Sequence, residues 1–131
     1  MTRHLGSCHC GAVTFAIEAE IEHLTACDCS LCVKKNARMV RVRAEDLTLL
    51  SGEGRLGAYD WNTQRARHHF CRTCGIYVFH RKRATPDMYE VNVFCLDGFD
   101  PKGLPVLASE GVGMSVVSEG AREVWPGPRE A

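Results

Sequence analysis

Apolar residues recur at every second position through much of this chain. Val13, Phe15 and Ile17 fall on one face of a predicted strand. In Met39-Val40-Arg41-Val42-Arg43 the valines point inward and the arginines outward. Leu47 to Leu50 is a shorter strand, stopped by Ser51-Gly52. Arg65 to Phe70, Ile76 to His80 and Tyr89 to Val93 read as further strands, with Met114 to Val117 and Glu123 to Trp125 as two more near the end. Helical signal is confined to Ser30 to Asn36, about two turns capped by Ser30. The tail Trp125-Pro126-Gly127-Pro128 breaks regular structure and is expected to fray. The pattern predicts a mainly β fold.

Composition narrows the setting. The 131 residues suit one domain, 1–131. A chain of this size buries roughly two-thirds of its unfolded surface, enough for one modest core. Sixteen basic residues balance sixteen acidic ones, which argues against a strongly basic nucleic-acid-binding surface. No apolar run approaches the roughly 18 residues that span a bilayer, so no membrane association is expected. The opening Met-Thr-Arg-His-Leu-Gly-Ser-Cys has no apolar core of a secretory signal, and a cytoplasmic location follows as an expectation.

That location bears on the eight cysteines. Seven lie in three tight clusters: Cys8-His9-Cys10, Cys27-Asp28-Cys29-Ser30-Leu31-Cys32 and Cys71-Arg72-Thr73-Cys74. In a reducing compartment clustered cysteines more often bind metal than form disulfides. Cysteines one residue apart also bridge poorly, because a disulfide needs particular Cα separations and a dihedral near 90°. They suit a shared tetrahedral ion well. Cys8, Cys10, Cys71 and Cys74 together supply a closed four-thiolate set, the form of a structural zinc site. Gly75 after the last pair permits the left-handed backbone of a zinc knuckle. A redox dithiol is the alternative for either pair, but no thioredoxin-like βαβ context surrounds them.

The triplet Cys27, Cys29 and Cys32 supplies three sulfurs from one loop. Three protein ligands leave a position open for water or substrate, so a second, catalytic and labile zinc is expected there. The bland alternative is a closed site whose fourth ligand the sequence does not identify: Asp28 and His23 are nearest along the chain, and His68 or His69 could reach it through the fold. Cys95, isolated in Val93-Phe94-Cys95-Leu96, reads as a small buried apolar residue, with access to the open metal as the alternative. His68 and His69 point to opposite faces of their strand, so at most one faces any given site. His80-Arg81-Lys82-Arg83 is a basic run of the kind that is usually a solvated face. Lys34, Lys35 and Arg38 follow the triplet directly and are better placed to meet a substrate carboxylate.

Three segments carry a resemblance. Gly6-Ser7-Cys8-His9-Cys10-Gly11-Ala12-Val13, Cys27-Asp28-Cys29-Ser30-Leu31-Cys32 and Phe70-Cys71-Arg72-Thr73-Cys74-Gly75 resemble the three motifs of the glutathione-dependent formaldehyde-activating enzyme family, which includes the centromere protein V type of domain. The order and approximate separations match across roughly residues 5 to 110. The segment from His80 to Pro86, with Asn92 to Gly98, looks like the centromere-protein-V-like branch. The resemblance implies a small β-tent of packed antiparallel sheets, with a domain core at about residues 5–125. It implies a structural zinc on Cys8, Cys10, Cys71 and Cys74 and a catalytic zinc on Cys27, Cys29 and Cys32. It implies a carbon–sulfur lyase whose partner is a small-molecule thiol such as glutathione, condensing with formaldehyde to S-hydroxymethylglutathione. His69 is the candidate proton donor, by hydrogen-bond logic alone. A non-catalytic zinc module that binds a protein or nucleic-acid partner, through the local basic runs, is the competing reading.

Overall fold

The computed structural model describes residues 1–27, 30–59, 67–81 and 87–109, without the side chains of residues 27, 30, 32, 33, 108 and 109. The strands predicted at 114–117 and 123–125 lie outside them. Ten strands and one short helix are present among the described residues. A hairpin of β1 (Thr2–Ser7) and β2 (Thr14–Ala19) opens the chain. Next come β3 (Leu24–Cys27), α1 (Ser30–Lys35), β4 (Met39–Arg43) and β5 (Leu47–Ser51). β6 (Leu56–Tyr59), β7 (Arg67–Cys71), β8 (Tyr77–Arg81) and β9 (Met88–Asn92) form a meander, and β10 (Val106–Ser109) ends the described chain.

These strands make two sheets. One has three strands in the order β1-β2-β5, the other seven in the order β10-β3-β4-β9-β8-β7-β6. The mainly β expectation holds, with one departure from all-antiparallel sheets. β10 runs parallel to β3, pairing Val106 with Leu24 through Ser109 with Cys27. Residues 28–105 make the crossover that a parallel pair requires.

The alternation read in the sequence is the one that builds the core. Phe15 and Ile17 of β2 are fully buried, as are Val78 of β8 and Val91 of β9. Val40 and Val42 face inward from β4, while Arg41 and Arg43 are exposed. Phe15 meets Phe79 of β8 edge-to-face at a centroid distance of 6.0 Å, joining the two sheets. An antiparallel bridge between Gly6 and Leu96, with the Asp97 amide donating to the Leu5 carbonyl at 2.7 Å, ties β1 to the far sheet. α1 occupies Ser30–Lys35, one residue short of the predicted span, and Asn36 turns out of it at φ 52°. No helix among the described residues is long and apolar enough to cross a membrane.

Gly52 shows how tightly the three-stranded sheet closes on the first cysteine turn. Its φ is +91°, and a Cβ there would lie 2.3 Å from the Ala12 carbonyl oxygen and 2.7 Å from Val13 Cα. Gly54, two residues on, has open space around its Cα. Gly52→Ala is therefore expected to cost about 2 kcal/mol or more, from backbone strain plus the clash. Gly54→Ala should stay within about 0.5 kcal/mol of the parent. Urea unfolding midpoints of the two variants check the contrast.

Candidate metal centre

Two turns from different sheets bring four sulfurs together. The β1–β2 turn carries Cys8 and Cys10, and the Cys8 amide donates to the Val13 carbonyl at 3.0 Å. The β7–β8 turn carries Cys71 and Cys74, and the Cys71 amide donates to the Ile76 carbonyl at 2.9 Å. Both turns thus close with the same five-residue offset. Gly75 has φ +81°, the left-handed conformation expected of a knuckle glycine, and its amide reaches the Cys71 carbonyl at 2.7 Å. The second turn is braced from outside. Arg55 Nη1 donates to Thr73 Oγ1 at 2.7 Å, the Arg72 amide donates to the Arg55 carbonyl at 2.8 Å, and the Arg72 guanidinium donates to the Gly54 carbonyl.

The sulfurs of Cys8, Cys10, Cys71 and Cys74 all lie within 4.8 Å of one another. Cys10 Sγ is 3.7 Å from both Cys8 Sγ and Cys71 Sγ. A tetrahedral ion with metal–sulfur bonds of about 2.3 Å needs sulfur–sulfur edges of about 3.8 Å. The short edges already have that length. Cys8 and Cys71 are buried, Cys74 is half-buried and Cys10 exposed. The donor set fits a metal ion with all positions filled by protein, and that closed shell leaves nowhere for a substrate atom.

Backbone amides compensate the charge that four thiolates would gather. The Val13 amide points at Cys8 Sγ from 3.4 Å, and those of Thr73 and Cys74 point at Cys71 Sγ from 3.3 and 3.5 Å. Backbone amides of the two turns also set the acidities of three thiols. The Cys10 amide, against the opposing withdrawal from water and with help from the Ile76 amide, lowers Cys74 to about 6. The Cys74 amide, again against withdrawal from water, lowers Cys71. At Cys10 the Ala12 amide pulls downward, but removal from water and the neighbouring sulfurs outweigh it and raise the thiol to about 11. Cys95 is buried behind this cluster, with Sγ 3.6 Å from the Tyr77 carbonyl. Burial, then the charges of Cys8 and Cys74, push it up to about 12, and it stays a neutral apolar thiol.

The triplet sits elsewhere on the chain path. Cys27 is the last residue of β3 and Cys32 the third of α1, so both backbones belong to one strand-to-helix connection. Cys29 and Asp28 lie outside the described residues, as do the Cys27 and Cys32 side chains. His23 lines a cavity of about 240 Å³ with Glu20, Glu22, Thr25 and Arg41.

Strand parity separates the two histidines. Register places His69 in a row with Phe79, Val91 and Val40, the row that faces the core, and its ring lies 5.2 Å from that of Phe79. His68 belongs to the opposite row, with His80, Glu90 and Arg41. There Lys35 Nζ of α1 lies 2.6 Å from His68 Nδ1. The proton-donor expectation for His69 thus meets an aromatic neighbour, and His68 is the histidine beside the triplet's helix. His80, read as the start of a solvated basic run, is instead buried. The sequence reading did not single out Tyr77 or Glu90, nor join His80 to them. The one signal was Glu90, set between the apolar Tyr89 and Val91.

A family model described as glutathione-dependent formaldehyde-activating enzyme matches residues 3–107. A crystal structure of a Rhodobacter sphaeroides protein superposes with a TM-score of 0.73 at 39% identity, covering 78% of this chain and 98% of that one.

Two outcomes follow from the four-cysteine geometry. Cys71→Ser should lose the ion held by that set and melt at markedly lower temperature, since structural metal sites supply on the order of 10 kcal/mol. Elemental analysis and a thermal scan read both. In the metal-stripped protein Cys74 should be alkylated ahead of Cys10 and Cys95. Its rate should rise as pH passes about 6 and flatten above about 7, while Cys10 and Cys95 are still gaining reactivity. Mass spectrometry of iodoacetamide-treated chain gives the order.

Proposed function

This chain belongs to the glutathione-dependent formaldehyde-activating enzyme family, and from that membership we propose that it is a zinc-dependent carbon–sulfur lyase that forms and cleaves a thiol–aldehyde adduct. The simplest such reaction joins glutathione to formaldehyde as S-hydroxymethylglutathione. The observation that carries the reading is the position of Cys27-x-Cys29-x-x-Cys32 within the matched residues, apart from the four cysteines that already close a site of their own.

Division of labour between the two cysteine sets follows from ligand number. Cys8, Cys10, Cys71 and Cys74 would hold a structural zinc. Cys27, Cys29 and Cys32 would hold the second, whose chemistry when bound is to keep a substrate thiol ionised at neutral pH. The remaining work falls to the chain itself. The triplet's helix ends in Lys34 and Lys35, and Arg38 follows. Lys35 is turned onto His68, which leaves exposed Lys34 and half-buried Arg38 to receive the carboxylates of a tripeptide thiol. Sulfur attack on the aldehyde carbon then needs a proton at the carbonyl oxygen, and removal of that proton returns the free thiol and aldehyde.

Exchange NMR between glutathione, formaldehyde and their adduct tests this reading. Protein with two zinc ions should accelerate the exchange. Cys29→Ser should lose one zinc, keep the other and lose at least about a hundredfold of the acceleration. A wild-type chain holding a single zinc, indifferent to glutathione and without effect on exchange, would instead point to a binding module.

A further inference from the structure

A row of polar side chains lies buried on the seven-stranded sheet. Glu90, His80 and His68 stand in register on β9, β8 and β7 and expose only 5%, 7% and 8% of their surface. Burying three such groups is costly unless each is partnered. Their partners run in one direction. Thr25 Oγ1 donates to Glu90 Oε1 at 2.9 Å. Glu90 Oε2 lies 3.5 Å from His80 Nε2. His80 Nδ1 meets the Tyr77 hydroxyl. With the Nε2 proton turned to the carboxylate, Nδ1 is the acceptor and Tyr77 the donor. Met39 Sδ, 3.8 Å from the same hydroxyl, is the weaker acceptor. Carboxylate, imidazole and hydroxyl in this order form an arrangement that fixes the imidazole tautomer and readies it to take the hydroxyl proton.

The outer end of this chain of groups is capped by a lysine. Lys35 Nζ lies 3.7 Å from the centre of the Tyr77 ring, a cation–π contact that holds the phenol face. Lys35 Nζ also lies 2.6 Å from His68 Nδ1, and the His68 and His80 rings lie 4.7 Å apart. Asn92 Nδ2 donates to the Tyr77 carbonyl at 3.0 Å and pins the backbone that carries the phenol. Tyr77 is only half-buried, unlike His80. Two members of the assembly flank the cysteine triplet along the chain: Thr25 precedes Cys27 by two residues on β3, and Lys35 follows Cys32 by three on α1.

We propose that Glu90, His80 and Tyr77 form a proton relay for thiol–aldehyde addition, with Tyr77 as the catalytic acid and base and His80 and Glu90 as its positioning residues. The proposal rests on the reading of the triplet as the thiol-adduct site. In the forward direction the thiol proton passes to the Tyr77 oxygen as the phenolic proton moves to His80 Nδ1. The sulfur electron pair forms the carbon–sulfur bond, and the carbonyl π pair moves onto oxygen. Tyr77 then protonates that oxygen, and His80 returns its proton to Tyr77. The thiol proton has become the carbinol proton, and nothing is oxidised or reduced. Cleavage is the same path reversed.

The test uses zinc-loaded full-length chain, with exchange kinetics at varied glutathione and nitrogen-15 NMR of the histidine rings. Tyr77→Phe should lower kcat about a hundredfold while the KM for glutathione stays within about twofold. Glu90→Gln should lower kcat about tenfold and shift the His80 ring resonances away from the wild-type Nε2–H tautomer, with zinc content unchanged. Wild-type protein that fails to accelerate exchange overturns the lyase reading and the relay with it. Active wild-type protein whose Tyr77→Phe variant keeps kcat within threefold overturns the relay alone. Should Tyr77→Phe fail to fold, Glu90→Gln decides: an unchanged kcat and unchanged His80 resonances overturn the relay.

Discussion

Four sulfurs drawn from two sheets are the constraint on which the rest of this structure depends. Cys8 and Cys10 come from the β1–β2 turn of the three-stranded sheet, Cys71 and Cys74 from the β7–β8 turn of the seven-stranded one. Cys10 and Cys71 are 61 residues apart in sequence yet 3.7 Å apart at sulfur. An ion held there closes a long loop, and the entropy of that closure is lost once rather than at each sheet contact. Phe15 against Phe79 and the Gly6–Leu96 bridge then only have to fill and align an interface already held at one end.

Two kinds of buried polar chemistry are handled in different ways. Around the cysteines the compensating groups are backbone amides of Val13, Thr73 and Cys74, which come free with the turns themselves. On the outer row of the seven-stranded sheet they are side chains from five separate elements, and those on the strands depend on the register of their neighbours. A core row of Val40, Val91 and Phe79 lies one residue out of phase with this polar row. A sheet covered on both faces can therefore carry packing on one and charge on the other.

What was legible in the sequence was local. Ligand spacing is a property of a few neighbouring residues, so the four-cysteine set could be read from Cys8-x-Cys10 and Cys71-x-x-Cys74 directly. Strands with apolar residues at every second position, such as β2 and β4, announced themselves by alternation. β1, β3, β6 and β10 did not. β1 leaves Leu5 half exposed, β10 exposes Val106 and Leu107, and β3 and β6 are four residues each, too short for a period to register. Parity told that His68 and His69 part company but not which of them faces the core, because that depends on pairing with Phe79 and His80 across the sheet. The Glu90–His80–Tyr77 contacts are of the same kind: they exist only in three dimensions.

The parallel pairing of β10 with β3 sets an order of events on the ribosome. Among the described residues β3 meets β4 through a single partnered position, Thr25 with Met39, but meets β10 through four. The Leu24 amide also donates to the Pro105 carbonyl at 2.9 Å. Both cysteine turns are complete once Ile76 has emerged, whereas the strand ending in Cys27 waits for Ser109. At ordinary elongation rates that gap lasts a few seconds. A metal ion can thus be captured by the four-cysteine set while the strand ending in Cys27 still lacks its main neighbour, so the scaffold is committed before that strand takes its final alignment.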